Sequence, residues 1–349
     1  MRIAQRTISR NYLKQLNTSM SKKAGCLERS TSGLKFSKLS ENVADGTRAM
    51  HIQEERYQSQ QQLSTVNDLV SEFKSVDSNM DSIQSILQNL QEKVLAGMSE
   101  NYGQNKRDIL AKEISSCKEQ ILQFANAQFG GKYLFAGTNN SDAPFTVDAT
   151  SGKLQFNGID VDQISYQGGA YVYPDPSDPS LKKVVPNSGN LYADIGLGLK
   201  VSSTGTPDSR TAFEVSFQGL ELMGYGASTT GENGTNVSSN VYDLLTQIEA
   251  SLTSGYDGNT LKDAQTKLVK LTDKVGMQRT ELGTRDRFLE RMQTRLTNDI
   301  ENMSAMESEL ISSKPADEAI KLQDANYVWK AILQLGSQIL PSSLLDYIR

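Results

Sequence analysis

Apolar residues recur at alternating spacings of three and four over two long parts of this chain, and the pattern lapses between them. Val66, Leu69, Phe73, Val76, Met80, Ile83, Leu87, Leu90 and Val94 keep the alternation without a miss. A period near 3.5 residues lays one apolar seam along a helix and winds it left-handedly about a partner. The pattern predicts a helix from about Ala49 to Gly97, roughly 70 Å long at ~1.5 Å per residue. After a break at Gly97 to Gly103, Leu110, Ile114, Cys117, Ile121 and Phe124 resume the spacing and end at Gly130-Gly131.

The helical pattern returns near Val241. Its seam runs through Leu261, Ala264, Leu268, Leu271, Val275, Leu282, Leu289, Met292, Leu296, Met303, Met306 and Leu310, with polar Gln278, Arg285 and Asp299 in the skipped places. By the same rise this helix is about 75 Å long. The similar lengths predict that the two long helices pack side by side.

Each end of the chain adds one more helical stretch. Leu13, Leu16, Met20, Ala24 and Leu27 predict a helix over 4–32, stopped by Gly33 and followed by a polar loop over 37–46. Pro315, with Asp317 and Glu318 behind it, suits the start of a last helix, since proline tolerates the first turn and carboxylates favour the positive helix end. That helix carries Ala325, Val328, Ile332, Leu335 and Ile339, flanked by Trp329, Leu333 and Leu340, before Pro341.

The middle differs. Residues 132–235 hold more than half of the 26 glycines and most of the eight prolines. The runs at 133–135, 154–156, 164–166, 170–173 and 213–217 predict short strands. Asn157-Gly158, Gly168-Gly169 and the prolines at 174–179 predict the turns between them. The expected class is α+β: an elongated antiparallel helical coiled-coil bundle formed by both chain ends, with a small β-rich domain inserted in the middle. The expected segments are an N-terminal arm (1–42), the first bundle half (43–131), the β-rich domain (132–235), the second bundle half (236–313) and a C-terminal arm (314–349).

Nine seam residues at ~1.5 to 3 kcal/mol each give a gross hydrophobic term of tens of kcal/mol, before conformational entropy is subtracted. The bundle can fold on that. Each arm is a single helix, marginal in water by itself, whose apolar stripe needs a partner. The arms are therefore expected to be weakly ordered in a dilute monomer and to gain order when their stripes are covered.

Charge sharpens the picture of the arms. Residues 1–40 carry nine Lys or Arg against Glu28 alone, a balance of +8; the remainder carries 27 basic and 40 acidic residues, a balance of −13, and the sum is the net −5. The basic residues of the first arm are spread around the helix, which fits packing against acidic neighbours better than tracking a phosphate backbone, so no nucleic-acid partner is expected. No apolar run approaches the ~18 residues a membrane span needs, and no membrane partner is expected. The first residues lack the apolar core of a secretory signal.

Candidate chemistry is sparse. The one histidine, His51, lies among charged helical residues with no nucleophile in a triad-like pattern. No His/Cys/Asp cluster has metal-ligand spacing. Gly196-Leu197-Gly198 lacks the third glycine and the following helix of a dinucleotide loop. Cys26 and Cys117 read as two free buried thiols. No enzyme activity, cofactor or metal is expected.

Four stretches carry a resemblance. TISRNYLKQLN (7–17) and LERSTSGLKF (27–36) resemble the N-terminal signature of the bacterial flagellin superfamily. FGGKYLFAGTNNSDAPF (129–145) and ILPSSLLDYIR (339–349) resemble the branch of that family found at the hook–filament junction. The resemblance implies a secreted structural subunit of the extracellular bacterial flagellum, exported by the flagellar type III route. It would assemble with itself, with a hook-associated protein on the hook side and with flagellin on the filament side. It implies an assembly interface on Leu13, Leu16, Met20, Leu27, Val328, Ile332, Leu335 and Ile339. It also implies an export chaperone that holds Val328, Ile332, Leu335 and Ile339 before secretion. The alternatives are the main filament subunit, flagellin itself, and an injectisome tip or translocator protein with the same helix–middle–helix layout.

Overall fold

A computed structural model describes residues 2–99, 103–138, 142–175, 177–203, 207–208, 211–254 and 256–339; the side chains of 2–6, 179–180 and 337–339 lie outside that description. Among the described residues there are seven helices: α1 (Arg2–Ser32), α2 (Val43–Gly97), α3 (Gln104–Ala125), the short α4 (Gly219–Met223), α5 (Val241–Thr253), α6 (Gly258–Ile311) and α7 (Pro315–Ile339). Between α3 and α5 the described residues form twelve short strands in five small antiparallel sheets. Contacts divide the chain into two compact units: residues 1–60 with 297–349, and residues 61–296.

The second unit holds the main core. Residues 61–97 of α2, with α3, α5 and residues 258–296 of α6, enclose one apolar interior. Ile83, Leu87, Leu90, Val94, Ile114, Leu244, Leu245, Ile248, Leu261 and Leu268 are inaccessible to solvent there. The nine-residue seam of α2 is buried along its whole length, as its spacing requires. Polar ties fix the antiparallel register of α2 and α6: Gln91 donates to Thr272 at 2.5 Å, Arg279 meets Asp77 at 3.2 Å, and Gln293 donates to Asn67 at 2.8 Å.

The helix ends show why these segments begin where they do. Asn42 accepts from the backbone N–H of Asp45 at 3.2 Å, and Asn240 accepts from that of Asp243 at 2.8 Å. Each satisfies a first-turn donor that the helix itself leaves unpaired. The Asn42 cap starts α2 at Val43, six residues before the start expected from the seam, and the polar loop is correspondingly shorter. Only a single 3-10 turn, Leu39–Glu41, remains in it.

The strands are β1 (Gln128–Phe129), β2 (Lys132–Tyr133), β3 (Phe145–Val147), β4 (Leu154–Phe156), β5 (Ile159–Asp160), β6 (Ser165–Gln167), β7 (Ala170–Asp175), β8 (Asp178–Val184), β9 (Tyr192–Ala193), β10 (Phe213–Glu214), β11 (Thr229–Thr230) and β12 (Asn236–Val237). β3-β4-β5 and β6-β7-β8 form three-stranded sheets, and the others pair in twos. The β4–β5 turn places Asn157 and Gly158 at φ +50° and +81°, the left-handed backbone a two-residue hairpin needs. The run at 213–217 is strand for only two residues. Beyond them Phe217 turns to meet Phe73 of α2, ring centroids 5.1 Å apart, and Phe213 stacks between Phe73 and Phe288 of α6 at 6.0 and 5.7 Å. Asn126, just past α3, clamps the β3-β4-β5 sheet by exchanging two hydrogen bonds with the backbone of Phe145.

Two of the polar interruptions in the α6 seam now have a cause. Arg285 reaches Glu214 and the carbonyls of Glu214 and Ser216, and lies over the Phe217 ring at 5.2 Å. Gln278, two turns earlier, faces a cleft beside the same loops. The seam is skipped where α6 meets the β-rich region instead of another helix.

Candidate assembly interface

The expected interface residues all fall in the unit formed by 1–60 and 297–349. There α1 and α7 lie antiparallel against each other. The α1 side of their shared seam repeats every seven residues: Tyr12, Ser19 and Cys26 are buried, and Leu16 and Lys23 are half-buried between them. From α7 come Glu318, Leu322, Ala325, Trp329, Ile332 and Gly336, spaced by four and three. Trp329, expected on the flank of the α7 stripe, sits in this seam, with the Lys23 ammonium 4.1 Å above its ring.

The seam is largely small or polar. Arg29 meets the buried Glu318 carboxylate at 3.1 Å, and Lys321 meets it at 2.7 Å. These hydrogen bonds, from Lys321 first and then Arg29, outweigh the effect of burial and hold the Glu318 carboxyl below the usual carboxylate range. Arg29 also donates to the Cys26 thiol at 3.3 Å. Cys26 is thus a buried thiol within the pair. Cys117 is only half-buried, in the other unit, where burial pushes its thiol up.

The apolar residues of the two arms mostly face the other way. Leu13, Met20 and Leu27, seven apart, are 53%, 61% and 50% exposed, and Val328 and Leu335 are 50% and 53% exposed. Leu16 and Ile332 sit half-buried at the edge of the seam. Ile339 belongs to α7, but its side chain lies outside the described residues, as do Leu340 and the rest of the 340–349 stretch. A shallow groove of about 250 Å³ runs between Ile8, Asn11, Tyr12 and Gln15 on one helix and Ile332 and Leu335 on the other. Tens of kcal/mol hold the bundle seam, but these stripes contribute nothing comparable to the isolated fold while they stay in water.

The two linkers that join the arms to α2 and α6 are zipped together. Ser313 N–H donates to the Gly33 carbonyl and Lys35 N–H to the Ile311 carbonyl, both at 2.8 Å, around an antiparallel bridge between Leu34 and Ser312. Gly33 at φ +71° gives the helix stop that the bridge needs. Arg56 and Glu307 pair at 3.0 Å between the start of α2 and the end of α6.

A further apolar row lies on α2 that the seam analysis did not contain. Val43, Met50 and Tyr57, again seven apart, are 61%, 61% and 62% exposed. Near them a groove of about 500 Å³ runs between Thr47, His51 and Ile52 of α2 and Met306 and Leu310 of α6. Of the three only Val43 falls in the stretch expected to be loop; Met50 and Tyr57 lie inside the expected helix but off its seam, so that seam does not contain the seven-residue repeat. His51 is solvent-facing and 3.5 Å from Glu55. Among the described residues no group of three or more His, Cys, Asp or Glu side chains is placed to hold a metal ion, and no helix is long and apolar enough to cross a membrane.

The two arms and the start of α2 thus present apolar rows to solvent at seven-residue spacing. Residues 3–140 match the bacterial flagellin N-terminal helical region. A 204-residue stretch is 24% identical to flagellar hook-associated protein 3 of Escherichia coli strain K12, covering 52% of this chain and 60% of that protein's length. The fold resembles that of a putative flagellar hook-associated protein from Vibrio parahaemolyticus, with a TM-score of 0.55 at 16% identity over 78% of this chain and all of that one. It also resembles Xanthomonas campestris FlgL, with a TM-score of 0.52 at 12% identity over 73% of this chain and 98% of that one.

Proposed function

We propose that this chain, whose residues 3–140 match the bacterial flagellin N-terminal helical region, is a flagellin-family protein and a structural subunit of the hook–filament junction. In this reading it polymerises through its terminal helices and joins a hook-associated protein on one side to flagellin on the other. The observation that carries the proposal is the pair of open apolar rows, Leu13, Met20 and Leu27 on α1 with Val328 and Leu335 on α7. The seam between the two arms is built from other residues, so these rows stay free for neighbouring copies.

The mechanism is mechanical and involves no catalysis. Copies pack their α1–α7 pairs in register, and each apolar row is covered by the next subunit. Burying five such side chains at ~1.5 to 3 kcal/mol each supplies several kcal/mol per subunit, repeated around the assembly. Many weak contacts held at high effective concentration transmit torque that no single contact would bear. The buried seam of α2 and α6 stiffens the unit formed by residues 61–296. Before export α7, through Val328, Ile332, Leu335 and Ile339, is the segment held by an export chaperone; of these, Val328 and Leu335 are open and Ile332 lies at the edge of the α1–α7 seam. The protein then resides outside the cell in the flagellum.

The test is a deletion strain viewed by negative-stain microscopy. A junction subunit leaves intact hooks without filaments and sheds monomeric flagellin into the medium, and the wild-type chain restores filaments. If purified protein, seeded with filament fragments, grows long filaments by itself, the chain is flagellin and the junction reading is wrong.

A further inference from the structure

The seam of α6 gives up an apolar residue at Gln278 and again at Arg285, one heptad later, and Glu281 lies between them on the same face. All three line one cleft of about 750 Å³ in the unit formed by residues 61–296. That volume lies within the range of ordinary small-molecule sites. Its far wall comes from the β-rich region.

The charges in the cleft are largely matched within the protein. Arg285 meets Glu281 at 2.5 Å and Glu214 at 3.5 Å, and Glu221 is held by Lys274 at 2.7 Å and by the Tyr171 hydroxyl at 2.7 Å. What is left over is neutral and polar. Gln218 commits its amide N–H groups to the carbonyls of Ser188 and Gly189 and to the Asn190 side chain. This commits Gln218 within the protein, with its Oε1 closed to solvent. The Gln278 amide, in a place where a leucine would continue the seam, offers both a donor and an acceptor. Two tyrosine rings stand at the rim, Tyr166 at 54% and Tyr192 at 40% exposure. Tyr166 is held edge-on against Tyr171 with ring centroids 5.0 Å apart.

A ligand suited to this cleft must both donate and accept through neutral groups, and must present an apolar face to an aromatic ring. A sugar does both: its hydroxyls pair with planar amides and carboxylates, and its C–H face lies on tyrosine. We infer that the cleft binds a neutral saccharide, with the Gln278 amide as the hydrogen-bonding group and Tyr166 as the platform. The inference is independent of the assembly role, because none of these residues lies in the unit that carries the open apolar rows.

The test is saturation-transfer NMR on the full chain with maltose, cellobiose and N,N′-diacetylchitobiose, each titrated to about 10 mM, a range that detects the millimolar Kd expected of a shallow site. At least one disaccharide should bind saturably, and Gln278→Leu and Tyr166→Ala should each weaken it at least ~10-fold, equivalent to ~1.4 kcal/mol. Gln278→Leu continues the apolar seam and Tyr166 is on the surface, so unchanged melting curves verify that both variants fold. No saturable binding by any of the three sugars overturns the inference. So does binding that both variants retain in full. A parallel titration with spermidine covers the cationic alternative: if spermidine binds and displaces the sugar signal, the cleft is a cation site and the saccharide assignment is wrong.

Discussion

Tyr12 of α1 occupies the space where a side chain on Gly336 of α7 would have to go: a Cβ built on Gly336 would overlap the Tyr12 hydroxyl and ring. The contact sets the register of the two arms, because only glycine lets the tyrosine seat at that level. Gly336→Ala is accordingly expected to loosen the α1–α7 pair. In an unconstrained helix the same change would stabilise by about 1 kcal/mol, whereas overpacking costs ~1–3 kcal/mol. The sign of the effect on amide-exchange protection of α1 decides between them. Adding Tyr12→Ala should recover part of the loss, a coupling that a double-mutant cycle measures. Gain of protection in the single variant would mean that the two residues do not meet.

The open rows predict a separation of stability from assembly. Met20→Asp and Leu13→Asp place a charge on a solvent-facing position, so each should change monomer stability by no more than about 0.5 kcal/mol. Both should abolish filament formation in a complemented deletion strain. A variant that swims normally would remove Leu13 and Met20 from the interface. The same assay applied to Met50→Asp and Tyr57→Asp asks whether the row on α2 belongs to it as well.

Phe73 is 1% exposed and gathers Phe213 and Phe217 from the β-rich region onto α2. Phe73→Ala should cost about 3–5 kcal/mol in a urea melt, because the lost aromatic burial is compounded by the cavity left behind. A cost below about 1 kcal/mol would show that the site collapses around the gap, contrary to the packing described.

Asp263 of α6 is 3% exposed. It accepts from the backbone N–H groups of Asn233 and Thr235, from the Asn233 amide at 2.7 Å and from the Thr235 hydroxyl at 2.7 Å. Burial by itself would raise its pKa, but these bonds outweigh it and hold the group at about 2, against an ordinary 3.8. The folded value lies below the unfolded one. The carboxylate's stabilisation is therefore complete above roughly pH 4 and is lost as pH falls from there through about 2. Asp263→Asn should flatten the stability profile across that window, measured by thermal melts at stepped pH. A profile as steep as that of the unsubstituted chain would overturn the assignment.

Much of this was legible in the heptad spacing. The positions from Val66 to Val94 could bury themselves only as one face of a long helix with a partner, and they do. The glycine pair at 168–169 announced a turn because only glycine is at ease at positive φ, and both residues adopt it; Gly130-Gly131 was expected to end α3, which stops earlier, at Ala125. The start of α2 was less legible, because a single Asn42 cap extends the helix into a polar stretch with no seam of its own. In the arms, apolar spacing identified which residues are sticky but not which face would meet the partner helix. Trp329 and Ile332 turn inward while Val328 and Leu335 turn outward, on neighbouring positions of one helix.

By itself the sequence determined the existence of the helices, the placement of the β-rich segment between them and the apolar rows of both arms. Periodicity is a local property, and each of these features follows from the chain's own dihedral preferences and side-chain order. Only the tertiary structure decided that the α1–α7 seam is the small and polar one. Tyr12 fits over Gly336 and Glu318 satisfies Arg29, contacts between residues some three hundred positions apart. Knob-and-hole fit and a buried ion pair depend on three-dimensional proximity, which spacing along one helix does not encode. Once those contacts fix the rotation of the two helices, the rows at Leu13, Met20 and Leu27 and at Val328 and Leu335 are left facing outward.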